Sequence, residues 1–174
     1  MSQLNLASHE ALRISPRQAM ALRPLVEQFN IEYCATLDSG DIENWPTYFT
    51  DDCIYRITAR ENAHLNMPVG LVYADNKAML HDRAVAIART QMFAPRTMLH
   101  ILSNTRIIDA RNEEIIASCN FLLLQTLVEG PSTVHLAGTY YDRFEHKGEQ
   151  ELLLKERQVV YESSVIANDL VYPV

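Results

Sequence analysis

Scarcity narrows the function of this chain before any motif does. There are three cysteines, Cys34, Cys53 and Cys119, far apart and with no Cys-x-x-Cys pair. That pattern disfavours a disulfide framework or a zinc site and favours a reduced protein with buried thiols. Glycine is scarce too, five in 174 residues, and neither a glycine-rich phosphate loop nor Gly-x-Ser-x-Gly occurs. No apolar run approaches the roughly 20 residues that cross a bilayer, so no membrane partner is expected. Residues 1–10 lack a basic region followed by an apolar stretch. No secretory signal is expected, and a cytoplasmic location is. Positive charge is in deficit: 15 Lys and Arg against 22 Asp and Glu leave a net charge of −7. Phosphate binding needs a basic face, so nucleic acid is not the expected partner.

Metal patterns are missing as well. The six histidines, His9, His64, His81, His100, His135 and His146, include no i, i+4 pair with a glutamate between them. A [2Fe–2S] Rieske site needs two Cys and two His. A mononuclear non-haem iron site needs two His and a carboxylate. Neither set clusters in the sequence, so no metal or cofactor residue is assigned to this chain.

What is present is an ordinary globular composition, 48% hydrophobic and 21% charged, enough for one domain with a sizeable core. Residues 24–174 read as that domain, and 1–23 as an N-terminal arm or extension whose first 14 residues are loose. Residues 37–57 organise the rest. Gly40 suits the left-handed position past a helix end. Asp41 can cap a short helix over 42–45, and Pro46 limits it. Trp45, Tyr48 and Phe49 dock this turn on a core rather than forming a ligand platform. From Cys53 the pattern alternates strictly, with Cys53, Tyr55 and Ile57 on one face.

Upstream, Ser15-Pro16-Arg17-Gln18 has the form of a capping box. The apolar stripe Leu25, Val26, Phe29, Tyr33, Leu37 predicts a long helix. Pro24 either kinks it or starts it afresh. Residues 60–70 read as a loop, with a brief extended piece at 71–73. Asp75 caps a helix over 76–90. Long strands follow over 97–109, 114–128, 133–145 and 151–163, with turns at 109–113, 129–132 and 146–149. Strands this long must twist and coil. The expected fold is α+β: a cone-shaped, strongly curved antiparallel sheet wrapped round the long N-terminal helix.

Candidate acid and base groups in such a cone are Asp52, Tyr55, His100, Asp142 and Glu156, a proton-shuttling set if they meet in an apolar pocket. Otherwise they are satisfied strand-end groups. Asp142 and Arg157 fall on neighbouring strands and suit a structural ion pair. Arg83 and Arg96 suit ion pairs as well. The tail 168–174, with Leu170, Val171, Tyr172, Pro173 and Val174, is apolar for a chain end. It is expected to be tied into the sheet or buried against another chain.

Taken in order, these residues resemble a family. Asp38, Trp45, Phe49, Asp52, Cys53 and Tyr55 at their spacing resemble the early signature of the beta subunits of aromatic-ring-hydroxylating dioxygenases. So do Asp75 with Met79-Leu80-x-Asp82-Arg83, then His100, Gly138-x-Tyr140-x-Asp142 and Leu152-x-Leu154-x-Glu156-Arg157. Within the family, Trp45-Pro46 and Val72-Tyr73-Ala74-Asp75 look most like the terephthalate dioxygenase and salicylate hydroxylase type. The resemblance covers about residues 26–174. It implies the open cone shared with scytalone dehydratase and ketosteroid isomerase. It also implies a structural subunit of an oxygenase acting on an aromatic carboxylate. The large alpha subunit would carry the [2Fe–2S] Rieske cluster and mononuclear Fe(II), and NADH would supply electrons through a reductase. The assembly would be an α3β3 hexamer with beta–beta contacts in its trimer. The contact residues expected here are Trp45, Asn62, Pro68 and the tail from Leu170 to Val174. The alternatives are a stand-alone isomerase or dehydratase using His100 with Asp52 or Asp142, or a small-ligand-binding domain without chemistry.

Overall fold

The first helix sets the frame. In the computed structural model, which describes residues 4–6, 9–90, 94–148, 151–163, 166 and 170–174, α1 spans Pro16–Asp38. The Ser15 hydroxyl accepts from the Gln18 amide, and the Gln18 side chain accepts from the Ser15 amide, which completes the capping box. The helix continues unbroken through Pro24. Pro24 and Met20, whose carbonyl loses its partner, both lie on the exposed side, where water can replace the missing bond. At the other end the Gly40 amide donates to Leu37 and the Asp41 amide to Thr36. Gly40 stands at φ +80°. These are the two bonds and the left-handed residue of a Schellman stop.

A 3-10 helix, Ile42–Tyr48, follows. The Asp41 carboxylate does not cap it; the Asp41 carbonyl takes the Asn44 amide instead. Pro46 lies inside this helix rather than ending it. Then come β1 (Phe49–Ala59), α2 (Arg60–His64), β2 (Val72–Ala74) and α3 (Lys77–Arg89). α2 occupies part of the stretch expected to be loop. The cap of α3 is Asn76, whose Oδ1 accepts from the Met79 amide at 2.9 Å; Asp75 accepts from the Asn76 side chain.

The remaining strands are β3 (Arg96–Arg111), β4 (Glu114–Leu127), β5 (Ser132–Lys147) and β6 (Glu151–Tyr161). The β3–β4 turn is shorter than expected. Arg111 pairs with Glu114, so only Asn112 and Glu113 turn, both at positive φ, the two-residue hairpin favoured by strand twist. The turn 146–149 includes Glu149, which lies outside the described residues.

The sheet order is β2-β1-β6-β5-β4-β3. Neighbours are antiparallel except β1 and β6, which run parallel. The excursion through α2, β2 and α3 separates β1 from the hairpin series and lets β6 return beside it. Register breaks in β1, β3 and at the β4–β5 and β5–β6 pairings let the strands bend. The result is a curved, unclosed sheet with α1 packed along it. Tyr55 and Ile57 of β1, Leu123 of β4, Phe144 of β5 and Leu154 of β6 are fully buried with Val26 and Tyr33 of α1. Each such side chain contributes about 1.5–3 kcal/mol relative to exposure.

The N-terminal segment is partly fastened rather than loose. The Arg13 amide donates to the Ile108 carbonyl at 2.8 Å, and Arg106 Nη2 donates to the Glu10 carbonyl at 2.8 Å. Residues 1–3 and 7–8 of the expected arm lie outside the described residues.

Candidate functional site

The inside of the cone is where chemistry would sit, and a polar cluster fills it. β5 and β6 place Asp142 opposite Arg157. Both are buried, and they join through two bonds of 2.8 Å, from Arg157 Nε and Nη2. Nη2 also donates to Asn30 Oδ1 of α1 at 2.6 Å. The guanidinium carbon lies 4.2 Å from the centroids of both the Tyr33 and Tyr140 rings. A planar cation between two aromatic faces, forked onto a carboxylate, is a geometry only arginine can satisfy. Burial works against the Arg157 charge, but the Asp142 carboxylate overcomes it and holds the guanidinium well above its ordinary pKa. Burial pushes the Asp142 carboxyl up, and Arg157 opposes that rise.

Beside this cluster sits the tail. The Tyr33 hydroxyl accepts from Trp45 Nε1 at 2.8 Å and donates to the Val174 main-chain oxygen at 3.2 Å. The Tyr55 hydroxyl donates to the same oxygen at 3.1 Å and accepts from the Val174 amide at 3.0 Å. Desolvation raises both phenols, Tyr55 to about 12 and Tyr33 well above its ordinary value. Neither can serve as a base near neutral pH.

The other acid–base candidates do not converge. Asp52 is exposed, with its carboxylate 3.5 Å from Lys155 Nζ. Glu156 accepts from Gln158 Nε2 at 2.8 Å and lies 3.5 Å from Arg143 Nε. His100 meets neither Asp52 nor Asp142. Its partner is Asp38, the last residue of α1: the His100 amide donates to Oδ2 at 3.0 Å, and Nδ1 lies 2.6 Å from Oδ1. β3 is an edge strand, so this carboxylate occupies an edge amide that would otherwise invite a further strand. His100 thus pairs with neither Asp52, which faces Lys155, nor Asp142, which Arg157 holds.

Of the expected contact residues, Trp45, Pro173 and Val174 are already buried within this chain. The Trp45 indole is fully buried against Phe49 and Tyr55, so its area is spent in the core. Leu170, Val171 and Tyr172 pack partly against the same core. The tail thus satisfies its apolar character inside its own chain; Asn168 and Asp169 lie outside the described residues. Arg83 donates to the Val171 carbonyl at 3.0 Å and holds the tail down. Of the loop residues, Pro68 is exposed and Asn62 half-buried.

Sequence reasoning missed Asn30, Tyr33 and Asp38 as parts of these networks. Asn30 carried a signal: it is a polar residue on the buried face of α1, four after Val26 and three before Tyr33. Nothing in sequence links Asp38 to a residue 62 positions away.

Among the described residues no group of three or more His, Cys, Asp or Glu could hold a metal. Cys34, Cys53 and Cys119 are each buried and unbridged. Burial lifts the Cys34 thiol to about 12 and the Cys53 thiol to about 11. No helix among the described residues is long and apolar enough to cross a membrane.

Comparison with known proteins agrees with this architecture. Residues 34–168 match the family described as ring hydroxylating beta subunit. The anthranilate 1,2-dioxygenase small subunit of Burkholderia cepacia is 36% identical over 142 residues, 82% of this chain and 88% of that one. The beta 1 subunit of the terminal oxygenase component of terephthalate 1,2-dioxygenase from Comamonas sp is 34% identical over 140 residues, 80% of this chain and 90% of that one. Among solved structures, a beta subunit assigned to an aromatic-ring-hydroxylating dioxygenase of Novosphingobium aromaticivorans superposes with a TM-score of 0.80 at 31% identity, over 89% of this chain and 98% of that one.

Proposed function

Because the chain belongs to the family of ring-hydroxylating dioxygenase beta subunits, we propose that it is the scaffolding subunit of a Rieske-type oxygenase that hydroxylates an aromatic carboxylate. The observation that carries the scaffold role is the buried Asp142–Arg157 cluster. An enzyme of this shape needs an open cavity with a convergent acid and base. Here Arg157, Tyr33, Tyr140 and Val174 occupy that space, and the candidate carboxylates are held by structural partners.

In this reading a large alpha subunit carries the [2Fe–2S] cluster and the mononuclear iron. Electrons come from NADH through a reductase. Three of each chain assemble, and the complex works in the cytoplasm. The substrate class is supported by two relatives named for dioxygenases of anthranilate and of terephthalate, both aromatic acids. A terephthalate-like or salicylate-like acid is the expected substrate.

Co-expression with a candidate large subunit tests this. The two chains should co-purify, iron should remain with the large chain after separation, and the small chain alone should turn nothing over. Aromatic acids should be hydroxylated faster than their decarboxylated counterparts. Turnover by the lone chain would overturn the scaffold role; preference for the uncharged ring would overturn the substrate class.

A further inference from the structure

Alternation along the strands sends Cys119, Tyr140 and Val159 into the core and their neighbours to the opposite face of the sheet. On that face lies a cavity of about 730 Å³, within the size range of small-molecule sites. Its floor crosses β3, β4, β5 and β6. α2, which packs on β1 and β6, supplies Arg60 and His64 from one side. The N-terminal segment, fastened to β3 through Arg13 and Arg106, supplies His9 and Glu10 from the other.

The sign of this lining runs against that of the chain, whose net charge is −7. Arg23, Arg60 and Arg106 stand against Glu10 and Glu162. Both glutamates already hold a cation: Glu10 pairs with Arg13, which is not part of the lining, and Glu162 with Arg60. Arg106 donates to the Glu10 main-chain carbonyl. A carbonyl satisfies one N–H but leaves the guanidinium charge and its other donors uncompensated. No carboxylate among the described residues pairs with Arg106.

Strand register decides the shape of what fits. Arg106 of β3, Ser118 of β4 and Tyr141 of β5 stand in one row across the floor. Two strand spacings, about 10 Å, separate the ends of the row. Ser118 between them is small, so the row is a gap with a cation at one end and an aromatic ring at the other. The adjacent row is Asn120, Thr139 and Val160. Thr139 donates to Asn120 Oδ1 at 3.1 Å, which leaves the Asn120 amide nitrogen as a donor. A guanidinium fork and an amide donor recognise a carboxylate. The Tyr141 ring and Val160 suit a flat apolar body attached to it. An inorganic anion would use only the polar half of this surface.

We propose that the cavity binds an aromatic carboxylate, with its carboxylate on Arg106 and Asn120 and its ring over Ser118 against Tyr141. Choosing an aromatic acid among flat organic anions rests on the substrate class proposed above. The small chain then takes up the same class of acid that the complex oxidises.

Isothermal titration of the full chain with benzoate, benzamide and inorganic phosphate tests this. Benzoate should bind with a Kd of about 1 mM or below, and more weakly as salt is added. Benzamide lacks the charge and phosphate lacks the ring, so each should bind about tenfold more weakly or worse. Arg106→Gln and Ser118→Leu should each weaken benzoate by about tenfold or more; the second fills the gap and keeps every charge. Circular dichroism confirms that both variants are folded. Arg111→Gln, an exposed arginine that is not part of the lining, should change nothing. No benzoate binding, equal affinity for phosphate, or equal loss from Arg111→Gln would overturn the site. Binding to the chain alone that Arg106→Gln no longer affects in the complex would assign the cavity to a subunit contact and refute the proposal. If benzoate binds but no large subunit co-purifies, the functional reading fails and this site stands. If an active oxygenase assembles and the small chain takes no benzoate, the reverse holds.

Discussion

The buried pair Asp142–Arg157 permits a quantitative test. Asp142→Asn keeps the shape of the site but leaves a guanidinium without its counter-charge in a dry interior. Removing one partner of a buried pair costs about 3–5 kcal/mol. Arg157→Met strands the carboxylate at a similar cost and also deletes two ring contacts of 4.2 Å, worth about 0.5–2 kcal/mol each. Asp142→Asn with Arg157→Met removes both charges. What remains lost is the ring contacts and imperfect packing, about 1–4 kcal/mol in all. The double variant should therefore be less damaged than the sum of the singles by about 3 kcal/mol or more. Urea unfolding of the purified chain, followed by circular dichroism, measures all three against the parent. A domain of this size has about 5–15 kcal/mol in hand, so the singles should remain measurable at low temperature. If Asp142→Asn costs under about 1 kcal/mol, or if the singles simply add, the account of Arg157 as a paired, desolvated cation is wrong.

Other outcomes follow from the same interior. Tyr33, Tyr55 and Tyr140 have pKa values raised by burial, Tyr55 to about 12. Because the folded values exceed the unfolded value near 10, their contribution to stability is complete below about pH 10 and is lost as pH rises above it, through about 12 for Tyr55. Near-ultraviolet titration should show these three ionising only as the chain unfolds, whereas a smooth titration of all eight tyrosines near pH 10 would contradict their burial. Gly138→Ala places a Cβ 2.1 Å from the Val160 carbonyl oxygen and 2.9 Å from the Tyr161 Cα. Since backbone cannot step aside cheaply, thermal unfolding should report a loss of about 3 kcal/mol or more, and an unchanged Tm would argue against the β5–β6 approach. Val174→Asp introduces an unpaired charge at a fully buried position and should destabilise by several kcal/mol. Val128→Asp, at 75% exposure, should stay within about 0.5 kcal/mol; equal effects at both positions would show that the tail is not docked.

Much of the fold was legible because its signals are local. The four long strands fall within a few residues of their expected bounds, since alternation and turn composition act over neighbours. The Ser15 box and the Gly40 stop were readable for the same reason. The parallel β1–β6 pairing was not, because strand order depends on where the chain returns after α2, β2 and α3. The site readings divided along the same line. Asp142 and Arg157 could be paired from adjacent strands joined by one turn. Trp45 is expected both on the core and at a contact, and the tail either tied down or against another chain; tertiary packing sets both inward.

By itself, then, the sequence settled most element types and the family signature, both consequences of residue type and short spacing. Only the tertiary structure decided which buried polar groups meet: Asn30 and Tyr33 with Arg157, Asp38 with His100, Val174 with two tyrosines. Such partners lie 62 to 141 residues apart in most cases. Their meeting is fixed by the curvature of the sheet round α1, a property that no local pattern encodes.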